Sequence, residues 1–326
     1  MATVRQRKAT TATFSEAFEG IANNIERVIE GKPETIRMTL LTLLSEGHLL
    51  IEDVPGVGKT LLAKAMARSI SSDWGRIQFT PDLLPSDITG VNIYNGNTRE
   101  FEFKPGAIFA NILLGDEINR ASPKTQSALL ESMEERQVTV DGVTYELTAP
   151  FMVIATQNPT EHAGTYPIPD SQMDRFMVRL SVGYPDTDSA LAILDNHGVT
   201  SPLDDISPVI DNRGILALIA HAQEVHVAES VKRYIIDIIE ATRTNKGIHL
   251  GASPRAGLFL LRAARTTAAA KGRSYVIPDD IKGLVHPILG HRLTLSGDAL
   301  SRGADSEDVL DDVVDSVPVP RSSPKP

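Results

Sequence analysis

The stretch HLLIEDVPGVGKT, from His48 to Thr60, passes from an apolar run into a glycine-containing turn that ends in Lys-Thr. This turn follows the phosphate-loop pattern G-x-x-x-x-G-K-[ST] except at its first position, which is Asp53. Gly56 and Gly58 allow backbone N–H groups to point at phosphate oxygens, and the helix predicted to follow directs its positive end at the same anion. The stretch therefore predicts a buried strand, a nucleotide-binding loop and a helix, in that order.

The end of this loop and a second strand supply the residues for a metal ion and a general base. Lys59 is placed to reach the β- and γ-phosphates, and Thr60 to hold Mg²⁺. The apolar run 112–114 predicts a strand that ends in Asp116 and Glu117. Asp116 is placed to hold the water shell of Mg²⁺, and Glu117 to activate the attacking water. An isolated Asp-Glu pair is better explained as two exposed acids, but its position downstream of a phosphate loop favours catalysis.

Three further polar residues are candidates for contact with the phosphates. Asn158 follows the apolar run FMVIAT and is placed to hydrogen-bond the γ-phosphate and the attacking water; a turn role before Pro159 is the alternative. Arg175 directly precedes another apolar run, where it is either a surface ion-pair partner or a finger that enters a neighbouring subunit's site. Arg255 lies in the first turn of a helix capped by Ser253, from which it could reach the phosphates if that helix closed over them.

The pattern of apolar runs predicts an open α/β sheet in the first half of the chain. Five short apolar runs, each bounded by polar or turn residues, are HLLIED, GRIQFT, NILLGD, FMVIAT and FMVRLS. Their continuous rather than alternating apolar character is typical of parallel strands that are buried on both faces. Helical patterns lie between them, so helices are expected on both sides of the sheet.

From Tyr184 onward the pattern becomes helical, and we divide the chain accordingly. Helices are predicted over residues 187–196, 213–224, 230–245, 253–271 and 278–285. The predicted organisation is a flexible N-terminus (1–13), an α/β core (14–184), a helical lid (185–297) and an acidic tail rich in Pro and Ser (298–326). The tail has few large apolar residues and is predicted to be disordered; a short partner-binding segment over 309–314 is the alternative.

Two segments of the first half do not fit the sheet and predict hairpins. Strand-like residues flank Asn95-Gly96 in TGVNIYNGNTREFEF and Asp141-Gly142 in RQVTVDGVTYEL. Asn-Gly and Asp-Gly favour two-residue type I′ turns. We expect both hairpins to project from the sheet toward a pore or a partner rather than to form passive surface loops.

Composition excludes several classes of function. The chain has 326 residues, 41% hydrophobic and 23% charged, with no cysteine, so disulfides and thiolate chemistry are absent. No apolar run reaches the ~18 residues that a spanning helix needs, and no signal peptide is visible, so a cytoplasmic protein is expected. The net charge of −10 makes sequence-independent nucleic-acid binding unlikely.

Taken in order, these motifs resemble those of the AAA+ ATPases. They correspond to Walker A (56–60), Walker B (Asp116 and Glu117), sensor 1 (Asn158), the arginine finger (Arg175) and sensor 2 (Arg255). The more specific resemblance is to the MoxR family, through EDVPGVGKT, GDEINRASPKTQSALLESMEERQVTVDG, ATQNPTEHAGTYPIPDSQMDRF and GASPRA. It covers residues 17–293, and an aspartate at the position of Asp53 is common in that family.

The resemblance implies a fold, a site and a mode of action. It implies an αβα P-loop core with two hairpin insertions, near 90–103 and 137–147, followed by a helical lid. It implies a ring, usually of six subunits, with an ATP and Mg²⁺ site at each interface, and with Arg255 acting either in its own subunit or on a neighbour. The nucleotide-binding residues would be Val28 and Ile29 at the adenine, Pro55, Gly56, Val57, Gly58, Lys59, Thr60 and Leu61 in the loop, and Asp116. Relatives of this kind resemble chaperones that remodel client proteins, for complex assembly or metal-centre maturation, often with a partner that carries a von Willebrand A domain.

Two other classes share the phosphate loop. A nucleic-acid motor, such as a helicase or an initiator ATPase, has the same core and hairpins, but the acidic balance argues against it and no appended DNA-binding motif is visible. A GTPase would carry Asn-Lys-x-Asp, whereas Asn245-Lys246 is followed by Gly247 and Ile248. A small-molecule kinase would not need an asparagine and two arginines at these three positions.

Overall fold

The computed structural model describes residues 2–159, 164–185, 187–188, 190–191 and 202–320, and side chains only from residue 14 onward. The strands are β1 (Leu49–Glu52), β2 (Trp74–Gln78), β3 (Gly90–Asn95), β4 (Glu100–Pro105), β5 (Ile112–Asp116), β6 (Gln137–Val140), β7 (Val143–Glu146), β8 (Met152–Gln157), β9 (Val178–Leu180), β10 (Ile248–Leu250) and β11 (Thr294–Leu295). The helices are α1 (Ala2–Glu26), α2 (Pro33–Leu44), α3 (Lys59–Ser69), α4 (Pro85–Thr89), α5 (Pro123–Glu135), α6 (Asp170–Met173), α7 (Asn212–Gln223), α8 (Glu229–Thr244), α9 (Pro254–Ala270), α10 (Pro278–Leu289), α11 (Gly297–Ser301) and α12 (Ser306–Ser316).

The main sheet has five parallel strands in the order β2-β5-β8-β1-β9, and each of the five apolar runs supplies one of them. The three central strands have almost entirely buried side chains, as their continuous apolar sequences predicted. Strand β2 lies at the edge and is mostly exposed, so its polar residues face solvent at one end of the sheet.

Successive residues of the central strands belong to two different cores, one on each face of the sheet. Leu49 and Ile51 pack with α1, α2, α3 and the helices of the second half, whereas Leu50 packs with residues of α5 such as Leu129. This alternation follows from the pleat of a strand, which points successive side chains to opposite faces. Burial of each such Leu or Ile stabilises the fold by roughly 1.5–3 kcal/mol, and together they determine the strand order.

Both predicted hairpins are present, but only one has the predicted turn. Strands β6 and β7 pair from Val140 to Val143, and the two turn residues, Asp141 and Gly142, have φ of 49° and 81°, as a type I′ turn requires. Strands β3 and β4 pair from Asn95 to Glu100, so four residues connect them and the prediction of a two-residue turn was wrong there.

The longer turn of the first hairpin has a local cause. The side chain of Asn95 accepts hydrogen bonds from the N–H groups of Asn97, at 2.9 Å, and Thr98, at 3.5 Å. Arg99 has φ of 60° and returns the chain to the ladder by donating its N–H to the carbonyl of Asn95 at 2.8 Å. An asparagine side chain that captures the next N–H groups competes with the two-residue turn.

The acidic tail is not disordered through most of its length, which corrects the prediction for 298–326. Helix α12 is capped by Asp305, whose carboxylate accepts the N–H groups of Glu307 and Asp308 at 2.9 and 2.8 Å. Val309, Leu310 and Val313 are buried in the core, and α12 packs on α8 and α10. The few apolar residues of this segment therefore lie on one face, and the acids cover the exposed face. Residues 321–326 lie outside the described part of the chain.

Two other predictions concern the ends of domains. Residues 2–13, predicted to be flexible, are the first part of α1, which begins at Ala2. The helix predicted over 187–196 lies largely outside the described residues. Helices α7 to α10 correspond to the four other helices predicted for the second half, with ends that differ by a few residues. Within the described residues, none of the helices has the length and apolar character needed to cross a membrane.

Candidate nucleotide site

The phosphate loop lies between the carboxyl end of β1 and the first turn of α3. Gly56 and Gly58 have φ of 88° and 90°, which strain any residue with a Cβ, and open space surrounds both of them. Helix α3 begins at Lys59, so its unpaired N–H groups face the loop. Pro55 and Gly56 are exposed, and the loop is accessible to a ligand.

Lys59 is held inside this loop and is surrounded by acids. Its Nζ donates to the backbone carbonyl of Asp53 at 2.6 Å. Burial lowers the pKa of Lys59, while the negative charges of Asp53, Asp116 and Glu117 act in the opposite direction. The residues predicted to bind the phosphates and the metal ion thus act electrostatically on the same ammonium group.

Asp116, the last residue of β5, has a partner on each carboxylate oxygen. The hydroxyl of Thr156 on β8 donates to its Oδ1 at 2.8 Å. The guanidinium of Arg76, on the neighbouring strand β2, donates to its Oδ2 at 2.8 and 3.2 Å. Arg76 also donates to the side-chain oxygen of Gln78 at 2.9 Å.

Glu117 follows in the left-handed conformation, with φ of 58°, which turns it away from the strand direction. Its N–H donates to the hydroxyl of Thr156 at 3.0 Å. Its Oε2 accepts from the side-chain amide of Gln78 and from Arg120, both at 2.9 Å. A non-glycine residue held at positive φ is a strained feature of the kind found at functional sites.

Asn158 lies one residue beyond β8, at the same edge of the sheet. The register pairs Glu52 with Gln157, so Asn158 lies beside the start of the phosphate loop. It is 7% exposed and lines a cavity of about 340 Å³ together with Gln157 and Arg179. Because β1, β5 and β8 are parallel, their functional residues all lie at the carboxyl edge of the sheet.

The residues at this edge fit a magnesium ion by the chemistry of their donors. Mg²⁺ prefers oxygen ligands, usually one or two from the protein with the rest from water and phosphate. Thr60 in the first turn of α3 and Asp116 at the end of β5 supply a hydroxyl and a carboxylate. These two residues would hold the ion, and Arg76 now occupies one oxygen of that carboxylate.

Arg175 and Arg255 lie at the opposite edge of the sheet from the phosphate loop. Both contact the carboxylate of Glu134, near the end of α5; the Nε of Arg175 is 3.0 Å from its Oε2, and Arg255 contacts Oε1. Neighbouring residues of α5 approach the start of β1, where the carbonyl of Met133 lies 3.1 Å from Nε2 of His48. Strand β1 alone spans about 13 Å at ~3.3 Å per residue, so neither arginine lies at its own loop.

The two arginines line a cavity of about 320 Å³. Arg136 and Arg262 also line it, and Glu46 pairs with Arg136 at 2.7 Å. Arg175 and Arg255 are 25% and 35% exposed, so both guanidinium groups are accessible from outside the protomer. The prediction that Arg255 lies in the first turn of a capped helix is confirmed: Ser253 Oγ accepts from the N–H of Ala256 at 3.4 Å.

The residues predicted at the adenine are part of the packed core. Val28 and Ile29 are 1% and 9% exposed, and Val57 and Leu61 pack against the same core. Just beyond them, Lys32 donates to the backbone carbonyl of Tyr184 at 2.8 Å.

Sequence reasoning missed several residues that contact the site. They are Arg76, Gln78, Arg120 and Thr156 around the two acids, and Glu134 between the two arginines. Arg76 and Gln78 carried a signal, since polar residues two apart on a strand point to the same face. Glu134 carried none, because only the tertiary fold brings the end of α5 to the two arginines.

This fold and site define the class: a P-loop nucleotide-binding protein with an AAA-type core and an appended helical part. Residues 48–178 match the family model for the "ATPase family associated with various cellular activities (AAA)", and residues 240–313 match the AAA lid domain. A crystal structure described as a "putative ATPase" from Cytophaga hutchinsonii superposes with a TM-score of 0.90 at 35% identity, covering 98% of this chain and 100% of that one.

The relatives identify the family. The "Uncharacterized protein YeaC" of Bacillus subtilis is 48% identical over 297 residues, covering 91% of this chain and 93% of that protein. "Chaperone MoxR1" of Mycobacterium tuberculosis is 41% identical over 311 residues, covering 93% and 82%. The chain belongs to the MoxR family of AAA+ ATPases.

Proposed function

We propose that this chain hydrolyses Mg²⁺-ATP at the interfaces of a homo-oligomeric ring, of six subunits, and uses the energy to remodel client proteins in the cytoplasm. The observation that carries the proposal is the separation of two sets of functional residues. The phosphate loop and the two acids lie at the carboxyl edge of the sheet, whereas the two arginines lie at the amino edge. A site that needs both sets is complete only when the amino edge of one protomer faces the carboxyl edge of the next.

In this proposal, each role in hydrolysis is assigned to particular residues of the chain. Lys59 and the N–H groups of the loop bind the β- and γ-phosphates, and Glu117 takes a proton from the attacking water. Asn158 orients that water. Thr60 and Asp116 would hold Mg²⁺, which would supply neutralisation of the phosphate charge.

The neighbouring protomer completes the site. Arg175 and Arg255 leave Glu134 and stabilise the charge that develops on the γ-phosphate of the adjacent subunit. Both guanidinium groups are partly exposed and already held together, which supports their joint action in trans rather than on their own phosphate loop. Hydrolysis then depends on assembly.

The first hairpin supports a protein as client. Ile93, Tyr94 and Phe101 are 46%, 55% and 72% exposed on one projecting ladder, and the rings of Tyr94 and Phe101 lie 5.4 Å apart. Exposed apolar groups of this kind favour a protein surface as partner. We propose that the clients of such a surface are proteins that undergo complex assembly or metal-centre maturation. We also propose a partner that carries a von Willebrand A domain.

Mixing two inactive variants tests the shared site. Arg175→Ala keeps its phosphate loop and base but lacks the finger, and Glu117→Gln keeps the finger but lacks the base. Each is expected to be inactive alone. A mixture of the two is expected to regain up to about a quarter of the wild-type ATPase rate, because one interface type in four unites an intact loop with an intact finger.

Controls distinguish the finger from an ordinary ion pair. Arg37→Ala breaks a pair with Glu19 at comparable exposure and belongs to neither set of functional residues, so it should stay active. Mixing Glu117→Gln with Lys59→Ala should restore nothing, since neither variant has a working loop and base. Restoration in that control, or none in the test mixture of assembled rings, would contradict a site shared between protomers.

A trapping experiment addresses the client. Glu117→Gln bound to ATP should retain clients that the wild type releases, and Phe101→Ala in the same background should lose them. In parallel, double-stranded and single-stranded DNA are added to the protein with Glu117 intact, and its ATPase rate is measured. ATPase stimulation by DNA, with no effect of Phe101→Ala, would favour a nucleic-acid motor instead.

A further inference from the structure

Asp53 occupies the position where the strict phosphate-loop pattern has glycine, and its carboxylate is fully engaged. Its Oδ1 accepts the N–H of Val54 at 2.9 Å. Its Oδ2 accepts from the hydroxyl of Ser181 at 3.0 Å and from the N–H groups of Val182 and Gly183 at 2.7 and 2.6 Å. The residue is 8% exposed. A glycine would leave three backbone N–H groups, those of Val54, Val182 and Gly183, without this partner.

The ionisation of Asp53 suits this arrangement. Burial alone raises the pKa of its carboxyl group, but the hydrogen bonds from Gly183, Ser181, Val54 and Val182 outweigh it and leave the pKa below its usual value. The group therefore holds its donors as a carboxylate.

The donors of Asp53 belong to the segment 181–184, which we call the connector. The connector leaves the last strand of the sheet, β9, and leads toward the helical second half. Lys32, next to the proposed adenine residues, also binds the connector through the carbonyl of Tyr184. Both sequence segments of the proposed nucleotide pocket, 28–32 and 53–60, are thus tied to the same four residues.

The backbone of Asp53 contacts the catalytic machinery at the same time. Its carbonyl accepts from Nζ of Lys59 at 2.6 Å, and its N–H donates to the carbonyl of Gln157, next to Asn158, at 3.2 Å. One residue therefore contacts the phosphate-binding lysine, the end of β8 and the connector. The ammonium of Lys59 has three N–H donors, so a phosphate bound there would share this group with the Asp53 carbonyl and would be linked to Asp53 through it.

We propose that Asp53 is a positioning residue that couples occupancy of the phosphate loop to the connector and, through it, to the helical second half. The inference rests on the proposed nucleotide site and adds a pathway by which that site moves the helices. It explains why the first position of the loop is aspartate: glycine satisfies the loop but cannot hold the connector.

Amide hydrogen exchange with and without ATP, in the full-length chain, tests this role. In the wild type, Val182 and Gly183 should exchange slowly, and ATP should change exchange in the connector and in α7 to α9. In Asp53→Gly, which restores the strict motif, both amides should exchange at least about tenfold faster, since their acceptor is gone. The ATP-dependent change in α7 to α9 should disappear, and kcat should fall about tenfold, with ATP affinity changed less than about threefold.

Two further variants keep the experiment decisive. Asp305→Gly removes a carboxylate that also accepts backbone N–H groups, two of them, at the cap of α12. This variant should exchange faster only at that cap and should keep the ATP response. If Asp53→Gly does not fold, Asp53→Asn decides, because its amide replaces one acceptor oxygen by a donor and should weaken the same two readouts.

The outcomes separate this inference from the proposed function. A wild type that binds no ATP, measured by calorimetry, would reject the nucleotide site itself. A wild type that binds ATP, with a folded Asp53 variant that keeps both the slow exchange of the connector and the response of α7 to α9, would overturn the role of Asp53 alone.

Discussion

The two edges of the central sheet differ in charge and in how their residues come together. At the carboxyl edge, Asp116 ends strand β5, Glu117 directly follows it, and Lys59 opens helix α3. The amino edge gathers Arg175 and Arg255 around Glu134, from three elements far apart in sequence. In the proposed function, one edge binds a magnesium–phosphate group and the other stabilises phosphate charge, so each protomer would carry complementary halves of a site on opposite sides.

Arg175→Ala breaks the amino edge and is expected to have the largest effect. An arginine finger contributes about 10³–10⁵ in kcat in other phosphoryl-transfer enzymes, and we expect a loss at the lower end of that range. ATP affinity of the isolated protomer should not change, because the guanidinium lies far from its own loop. If the isolated Arg175→Ala protomer lost ATP affinity as well as kcat, Arg175 would have to act at the phosphate loop of its own protomer, at the carboxyl edge.

Glu117→Gln breaks the carboxyl edge without changing its shape. A general base contributes about 10²–10⁴, so kcat should fall within that range while ATP binding persists. Steady-state hydrolysis and calorimetry measure the two quantities, with Lys59→Ala as the control that loses binding. Normal hydrolysis by Glu117→Gln would show that another group activates the water.

A pH dependence of stability should come from His48 at the amino edge. This buried imidazole lies 3.1 Å from the carbonyl of Met133 and accepts the N–H of Val153 at 3.0 Å; burial lowers its pKa from the ordinary 6.5 to about 4. The unfolded state therefore takes up a proton first as pH falls. The corresponding stability is present above pH 6.5 and is lost progressively between pH 6.5 and 4, by about 3 kcal/mol.

Denaturant unfolding at several pH values measures this loss of stability, and His48→Gln should make the pH dependence between 6.5 and 4 less steep. His291, whose pKa burial also lowers well below its usual value, contributes in the same direction and remains in this variant. His226, which is exposed, provides a control in His226→Gln. An unchanged pH profile in His48→Gln would assign the acid sensitivity to other groups.

Arg76→Ala should have the smallest effect and sharpens the description of the carboxyl edge. Its guanidinium competes with a metal ion for Asp116, and a half-exposed ion pair contributes up to about 1 kcal/mol. The Mg²⁺ concentration for half-maximal ATP binding should therefore fall by up to about fivefold, measured with a fluorescent ATP analogue. Arg68→Ala, which breaks a more exposed pair with Asp204, should leave it unchanged. A higher Mg²⁺ requirement in Arg76→Ala would mean that this arginine helps to hold the site.

The two hairpins show that a favourable turn sequence does not always form the predicted turn. Asp141-Gly142 forms the predicted two-residue turn, because both residues adopt positive φ, and the Asp141 carboxylate accepts from the side chain of Asn92 at 2.7 Å. Asn95-Gly96 has an equally favourable composition, yet the side chain of Asn95 captures the following N–H groups and the loop lengthens to four residues. Local composition also gave a wrong prediction for the acidic tail. It predicted disorder, but three buried apolar residues pack the segment onto α8 and α10.

Local sequence was sufficient to predict the parallel sheet, the phosphate loop and the candidate residues of the carboxyl edge. These follow from signals over a few neighbouring residues: continuous apolar runs, glycines before Lys-Thr, and acids where a strand ends. The contacts of Arg175 and Arg255 with Glu134, and those of Asp53 with the connector, are visible only in the folded chain. Each of those contacts joins residues about 40 to 130 positions apart, and periodicity in a single sequence carries no information about such pairs, because long-range packing selects them.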